Sequence, residues 1–336
     1  MSTVNPSQLP DLITDVGIGV MLESYAAEAP VWSMICDVTE VSATAPPEGM
    51  AEAVVAGGIV PRRTKRGAEA EATTMEEAYT WQMAIPKVTE RIEITEEMFS
   101  GPNARAVITA HVQSAFRGWG KGWAIYKERT VAALFNRGPI AAGDASVFDN
   151  SYTNRADPYA KFIYDGKPFL AASGNGHPLG LATATTKYNH TASAALSSAN
   201  LEAARILMED TNAVDEIGEK VLVRASHLLV PAALSQTARV LLGSELAPGT
   251  AQNDINTFAD GQIRPLVWRY LTDTDGWILY SRGVGGIKAA DSGPAMRIET
   301  SAPDGKSGNV TLRGIGYFGA AVANWRCAVG NNIATS

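Results

Sequence analysis

A long amphipathic helix is the feature that most constrains the fold of this 336-residue chain. Between Asn103 and Gly138, mostly apolar residues recur every three or four positions, which places them on one face of an α-helix. This stripe consists of Ile108, Val112, Phe116, Trp119, Trp123, Tyr126, Thr130 and Leu134. Ser100, Pro102 and Asn103 suit a helix start and Gly138-Pro139 a stop, so we expect a helix of about 50 Å.

Three glycines, Gly118, Gly120 and Gly122, interrupt this helical pattern. A glycine in a helix interior costs about 1 kcal/mol relative to alanine. We therefore expect either a kink or the close approach of a neighbouring segment at this point.

Extended chain is predicted on the amino-terminal side of the long helix. Tyr79, Trp81, Met83 and Ile85 recur at every second residue and so share one face of a strand. Pro86 ends that strand, and a second strand follows at Val88, Ile92 and Ile94. Further upstream, a short helix around Val20 to Ala27 is expected within an arm.

The part after the long helix alternates between helical and strand-like segments. Residues 139–200 read as loops with one small hairpin around Asp165-Gly166. The predicted elements that follow are a helix at Leu201 to Met208, a buried strand at Val221 to Val223, an apolar segment at Leu228 to Leu242 that Pro231 interrupts, a hairpin around Asp273 to Gly276, and strands at Met296 to Ile298, Val310 to Phe318 and Trp325 to Val329.

Composition limits the classes of function that the chain can have. The chain is 46% hydrophobic and 19% charged, with a net charge of -7, which disfavours tight binding of nucleic acid through broad phosphate neutralisation. Cys36 and Cys327 are too few for a disulfide framework, and we expect buried free thiols. We find no signal peptide and no membrane span.

No motif for catalysis or cofactor binding lies in the structural context that its chemistry requires. Gly314, Gly316 and Gly319 have the spacing of a dinucleotide-binding loop, but only 17 residues follow Gly319, too few for the required unit, and a strand containing glycines explains them. The adjacent carboxylates Glu96-Glu97 would point to opposite faces of a strand. We predict no enzyme activity and no cofactor.

The sequence also offers no metal site. Asp273, Asp275 and Gly276 resemble the start of a calcium loop, but the twelfth residue is Val284, so a turn is the better interpretation. The four histidines have no spacing that suits zinc, and they are His111, His177, His190 and His227.

One charged cluster suggests a contact surface. Basic residues are followed closely by acidic ones, in the order Arg62, Arg63, Lys65, Arg66, Glu69, Glu71, Glu76 and Glu77. A hairpin tip built in this way can pair across its own strands or set the register of a neighbouring subunit through complementary charge. These residues are our candidate inter-subunit contacts, and a merely solvated loop is the alternative.

The order of arm, charged hairpin, long helix, α/β segment and terminal strands resembles the Hong Kong 97 phage capsid fold. Residues 164–169 with His177-Pro178 downstream are similar to the segment after the long helix in Mu-type major head subunits. The runs at 225–231, 273–277 and 324–326 are similar to that family as well. The resemblance covers nearly the whole chain.

The resemblance implies an α+β chain in five parts. These are an N-terminal arm at 1–40, an extended loop with flanking strands at 41–99, a peripheral domain with the spine helix at 100–200, an axial domain at 201–295, and return strands of the peripheral domain at 296–336. The arm and the loop are expected to find their burial on other copies of the chain.

The resemblance further implies the major capsid protein of a tailed bacteriophage. It would assemble in the host cytoplasm, as pentamers and hexamers, into an icosahedral shell around double-stranded DNA that it does not read by sequence. Portal, scaffolding and decoration proteins would be its partners, and no membrane is involved. An encapsulin-like nanocompartment shell and a soluble α/β enzyme remain the alternatives.

Overall fold

A computed structural model describes residues 9–28, 30–56, 76–100, 103–139, 165, 167–179, 186–244, 255–259 and 261–334. Its helices are α1 (Leu9–Ala26), α2 (Trp32–Ile35), α3 (Glu96–Ser100), α4 (Ala104–Asn136), α5 (Ser198–Ile206) and α6 (Ser235–Gly243). Its strands are β1 (Asp37–Glu40), β2 (Gly49–Ala56), β3 (Glu76–Ala84), β4 (Lys87–Ile94), β5 (His177–Pro178), β6 (Thr186–Lys187), β7 (His190–Thr191), β8 (His227–Val230), β9 (Arg264–Val267), β10 (Trp277–Tyr280), β11 (Ile287–Asp291), β12 (Arg297–Thr300), β13 (Val310–Val322) and β14 (Ala328–Asn331). The predicted α+β class is confirmed.

The predicted long helix is α4, which has 33 residues. At 1.5 Å per residue it is about 50 Å long. Most of its stripe of large side chains is buried, with Phe116 and Trp123 almost fully enclosed and Tyr126 partly buried. The predicted cap was wrong in detail: Ser100 ends α3, and the Asn103 side chain makes no capping hydrogen bond.

Helix α1 packs against α4 within the same chain. The predicted short helix lies in the right place, but α1 begins at Leu9 and is much longer. Met21 is fully buried, and a side chain at Gly120 would collide with the Met21 carbonyl. Gly120 therefore permits close approach of α1, and no kink is needed because α4 is continuous through its three glycines. The expectation that this arm is buried only on other copies was wrong.

Strand β13 is the centre of the first sheet, whose order is β1-β11-β13-β12, with β4 also paired to β13. Gly314 and Gly316 lie within β13, where the rings of Trp119 and Trp123 on α4 cover them. The interpretation of these glycines as part of a strand is confirmed. They leave the sheet surface flat enough for two indoles to pack directly on its backbone.

The predicted extended chain before α4 is also present. Strands β2 and β3 form an antiparallel hairpin with a bulge between Val54 and Val55. Trp81, Met83 and Ile85 are buried, so the alternation identified the inward face correctly. The chain leaves β3 near Pro86 and enters β4, which pairs with β13. The base of the hairpin is thus anchored to its own chain.

The second sheet has the order β7-β14-β10-β8-β9. One face packs against α5 and α6, because alternate residues such as Leu228 and Leu279 join the cluster that contains these helices. The opposite face, with Leu229 and Ile278, joins the large core around α4. The sheet is therefore covered on both sides. Predictions of a helix near Leu201 and of the apolar segment that became β8 and α6 are confirmed.

Two predicted elements in this region were wrong. Residues Val221 to Val223 form no strand, and Leu222 is 81% exposed. The Val221 N–H donates to the Ala213 carbonyl and does not join a sheet ladder. The turn at Asp273 exists, but it does not join a hairpin, because β8 lies between β9 and β10. Hydrophobic alternation does not specify which strands become neighbours.

The terminal segments agree largely with the sequence. Strands β12 and β13 lie where strands were predicted, whereas Trp325 to Cys327 form a turn before β14. Glu96-Glu97 lie in the short helix α3 and not in a strand. Most of the predicted hairpin around Asp165-Gly166 lies outside the described residues. The five-part division of the chain stays a prediction.

Candidate functional site

Most of the predicted contact cluster cannot be placed. Arg62, Arg63, Lys65, Arg66, Glu69 and Glu71 lie outside the described residues. Glu76 and Glu77 begin β3, opposite Ala56 and Val55 of β2. The structure thus places the last two members of the cluster at the outer end of the hairpin, and the cluster as a contact surface stays a prediction.

The structure reveals a buried polar centre on α4 that we did not predict. Lys127 is completely enclosed, and its Nζ lies 2.6 Å from Oδ1 and 2.7 Å from Oδ2 of Asp291 at the end of β11. The same ammonium donates to the Gly293 carbonyl at 2.8 Å and to the Tyr25 hydroxyl at 3.3 Å. The rings of Tyr25 and Trp123 lie within 5 Å of it. One side chain of α4 therefore connects α1 to the first sheet.

Burial dominates the electrostatics of this pair. Desolvation lowers the pKa of Lys127 to about 8, and the nearby Asp291 opposes that shift. Burial likewise raises the pKa of Asp291, against the attraction of Lys127. A charge in a low-dielectric interior is tolerated only with a close partner. The pair therefore restricts the position of α4 relative to β11.

Glu128, the next residue, holds a different set of elements. Its Oε1 accepts from the backbone N–H groups of Val31 at 2.5 Å and Trp32 at 3.4 Å, at the start of α2. Its Oε2 accepts from the indole N–H of Trp268 at 2.6 Å, just beyond β9. Burial raises the pKa of Glu128, while these three donors favour the carboxylate. Adjacent residues of α4 thus bind α1, α2 and both sheets.

A second buried hub holds the segment before β5 against the carboxyl-terminal strands. Asn189 accepts from the Ala171 N–H and donates to the carbonyls of Phe169, Trp325 and Ala328. Its Oδ1 lies 3.3 Å from Nε2 of His177. Because one side chain connects these segments, Asn189 makes the packing of this region specific.

His177 belongs to the same hub and has no catalytic geometry. Its Nδ1 lies 2.7 Å from the Asp165 carboxylate, and its ring stacks on Trp325 at 4.5 Å. The side chain is completely buried, so both ring nitrogens face protein acceptors and neither can reach a substrate. The arrangement is structural.

Neither the two thiols nor a group of metal-ligating side chains marks a reactive site in the described ranges. Cys36 and Cys327 are buried free thiols, as predicted, and burial raises the pKa of each thiol. No three His, Cys, Asp or Glu side chains of these ranges are grouped for a metal ion. Among the helices there, none combines the length and hydrophobicity of a membrane-spanning segment.

One signal for the buried centre was present in the sequence. Lys127 lies four residues after Trp123 and four before Val131, so it occupies the apolar face of α4. A charged residue in that position needs a buried partner. Its partner Asp291 is 164 residues away, and no local pattern identifies it.

Comparison with known proteins shows that this architecture is similar to that of phage capsid proteins. Residues 83–331 match a family model described as phage capsid protein. The capsid of the cyanophage P-SCSP1u is similar with a TM-score of 0.50 at 11% identity, covering 92% of this chain and 89% of that one. A Mycobacterium phage Che8 structure is similar with a TM-score of 0.45 at 11% identity, covering 92% and 93%. No curated protein sequence matches the chain.

Proposed function

This chain belongs to the phage capsid protein family, and from that premise we propose that it builds the icosahedral head of a tailed bacteriophage as the major capsid protein. The observation that carries this function is the family match over residues 83–331, which include the long helix and nearly all of both sheets. The fold agrees with it, since the chain has the Hong Kong 97 type of architecture. The role is structural, and the family match favours neither the nanocompartment nor the enzyme alternative.

The internal packing suits a building block of a shell. A closed shell repeats the same few contacts many times, so each subunit has to present its surfaces at defined angles. The buried centre at Lys127 and Glu128 supports this by tying α1, α2 and both sheets to one turn of α4. A helix of about 50 Å then serves as a rigid spine between these parts.

The charge of the chain is compatible with a container for DNA. The net charge of -7 gives the shell no general attraction for a polyanion, so DNA can be enclosed without being held. We place the chain in the virion, with assembly in the cytoplasm of the host. Portal, scaffolding and decoration proteins are its proposed partners.

Assembly of the purified chain tests the proposal directly. We expect closed particles of uniform diameter in sedimentation and negative-stain imaging, because the subunit carries the information for the shell lattice. Co-expression with neighbouring phage genes extends the test if a scaffolding protein is needed. Small discrete oligomers under every condition, with or without those genes, would contradict a capsid role.

The charged hairpin tip is tested separately. Deleting residues 62–72 should leave the subunit folded and weaken shell formation, because the tip is proposed to contact a neighbour while Trp81 and Met83 anchor the hairpin base. The matched control removes charge elsewhere, by replacing Asp304 and Lys306 in the exposed 301–307 segment with serine. Shells of normal yield and stability from the deletion would refute the contact role of the tip.

A further inference from the structure

Three side chains that carry or can accept a positive charge meet at one end of the second sheet. His227 begins β8 and lies opposite Arg264 on β9 and Tyr280 on β10. Residues that lie opposite each other on neighbouring strands project from the same face of a sheet. Arg282 follows shortly after Tyr280, and both arginines are exposed. The cationic cluster consists of His227, Arg264 and Arg282.

Ser226 holds all three members of the cationic cluster. Its carbonyl accepts from the Arg264 N–H at 3.0 Å, and its hydroxyl oxygen accepts from the Arg282 N–H at 3.1 Å. The same hydroxyl donates to the Tyr280 carbonyl at 3.2 Å and lies 2.8 Å from Nδ1 of His227. Because the hydroxyl hydrogen is used by Tyr280, Nδ1 of His227 is the donor to Ser226. Nε2 of the imidazole is then left for another partner.

The positive charge of the cationic cluster is not neutralised within the described ranges. Neither the Arg264 nor the Arg282 side chain forms an ion pair there. Burial lowers the pKa of His227, and the charges of Arg282 and Arg264 lower it further, so both guanidinium groups act on the imidazole. Like charges on adjacent strands repel each other. A bound anion would remove that repulsion.

The charged groups in neighbouring segments do not supply such an anion. Asp37 is paired with Lys288 at 3.0 Å, and Glu209 is paired with Arg205 at 3.1 Å. Arg224 comes shortly before β8, is exposed, and forms no ion pair in the described part of the chain. Unpaired positive charge therefore collects at this end of the sheet, although the whole chain has a net charge of -7.

A phosphate group suits the cationic cluster better than a carboxylate does. The donors come from three elements, which are β8, β9 and the segment after β10. A carboxylate has two oxygens in one plane, whereas a phosphate group has oxygens in a tetrahedral arrangement that donors can reach from several directions. Guanidinium groups bind phosphate through paired, charge-assisted hydrogen bonds, and a protonated imidazole adds one more donor.

We propose that Arg264, Arg282 and His227 bind one phosphate group at this end of the second sheet. Inorganic phosphate and a backbone phosphate of DNA are the two sources of this group. DNA as the source rests on the proposed function, and this end of the sheet then faces the enclosed DNA. A single phosphate contact per subunit is weak and sensitive to salt, so it is compatible with DNA that is enclosed without being tightly held.

Titration of the full-length, unassembled chain with inorganic phosphate tests the site. At fixed pH, and with the ionic strength held constant by chloride, phosphate should shift the imidazole NMR signals of His227. The signals of His111 on α4 should not move. The variant His227→Gln identifies which signals belong to the site. If neither inorganic phosphate nor DNA shifts the His227 signals, the inference is overturned.

The arginines are tested by a matched pair of double variants. Arg264→Gln with Arg282→Gln should weaken phosphate binding about tenfold or more, because charge-assisted hydrogen bonds are lost. The control, Arg239→Gln with Arg313→Gln, removes the same charge from exposed positions outside the cationic cluster and should bind like the wild type. Circular dichroism verifies that both variants fold. Equal weakening in both would indicate a general effect of charge and would refute the site.

Short duplex DNA in place of inorganic phosphate distinguishes the two sources. If DNA is the ligand, the duplex shifts the His227 signals at a lower phosphate concentration, and losing this contact lowers the salt slope of DNA binding by about 0.9. A response to inorganic phosphate alone identifies the free ion as the ligand. A chain that forms shells but responds to neither would overturn this inference alone. Failure to form shells would contradict the capsid role and leave the site intact.

Discussion

Lys127 on α4 and Asp291 at the end of β11 form a bidentate ion pair inside the protein, with Nζ 2.6 Å and 2.7 Å from the two carboxylate oxygens. The Lys127 side chain is fully enclosed, and 11% of the Asp291 side chain is exposed. A buried pair of this kind contributes less to stability than to specificity, because desolvation offsets much of the attraction. It makes any other alignment of the spine helix on the first sheet unfavourable.

Removal of one partner should be strongly destabilising. Lys127→Met leaves the Asp291 carboxylate buried without its cation, and we expect a loss of about 3–5 kcal/mol in the free energy of unfolding. Adding Asp291→Leu should recover part of that loss, because it removes the unpaired charge. Denaturant unfolding of the unassembled subunit measures the stability of the two single variants and of the double variant. A double variant that loses as much stability as the two single variants together would contradict the pairing.

Lys127 should also make the stability of the subunit depend on pH. Burial lowers the pKa of Lys127 from 10.5 to about 8, so between these values the unfolded chain binds a proton that the native subunit has released. Its contribution to stability is therefore complete above 10.5 and is lost as the pH falls to about 8. The stability difference between wild type and Lys127→Met should grow on the order of 1 kcal/mol per pH unit within this window.

Unfolding of the two proteins at pH values from 7 to 10 measures that difference, and other titrating groups largely cancel in the comparison. A difference that stays constant over the whole range would show that Lys127 keeps its proton in the native state.

Glu128→Gln should loosen the amino-terminal segment. A glutamine amide cannot accept from Val31, Trp32 and Trp268 together, because one of its two terminal atoms is a donor. We expect faster hydrogen exchange at residues 31–35 and a loss of about 1–3 kcal/mol. The matched control is Glu23→Gln on the exposed side of α1. Unchanged exchange at 31–35 in Glu128→Gln would argue against this anchoring role.

Two glycines of the spine helix should respond oppositely to alanine. A methyl group at Gly122 meets nothing within 4 Å, so Gly122→Ala should stabilise the subunit by about 1 kcal/mol through helix propensity. A methyl group at Gly120 meets the Met21 carbonyl and the Ser24 hydroxyl, so Gly120→Ala should displace α1 and destabilise. Thermal melting of both variants is the measurement, and two shifts of the same sign would be inconsistent with the packing of α1.

Local patterns in the sequence identified those elements whose apolar residues recur with a clear helical or strand period. The three-to-four residue spacing predicted α4 to within a few residues, and the alternation of Trp81, Met83 and Ile85 predicted the inward face of β3. The same kind of reasoning failed at Val221 to Val223, where apolar composition did not mean burial. Leu222 is 81% exposed there, and apolar composition alone cannot distinguish an exposed segment from a core strand.

What the sequence determined by itself is therefore the order of elements and the face that most of them bury, because periodicity acts over neighbouring residues. What only the tertiary structure decided is which distant residues meet. Lys127 meets Asp291, Glu128 meets Trp268, and β8 separates β9 from β10. These contacts depend on how whole elements pack, and no residue carries the identity of a partner that lies more than a hundred positions away.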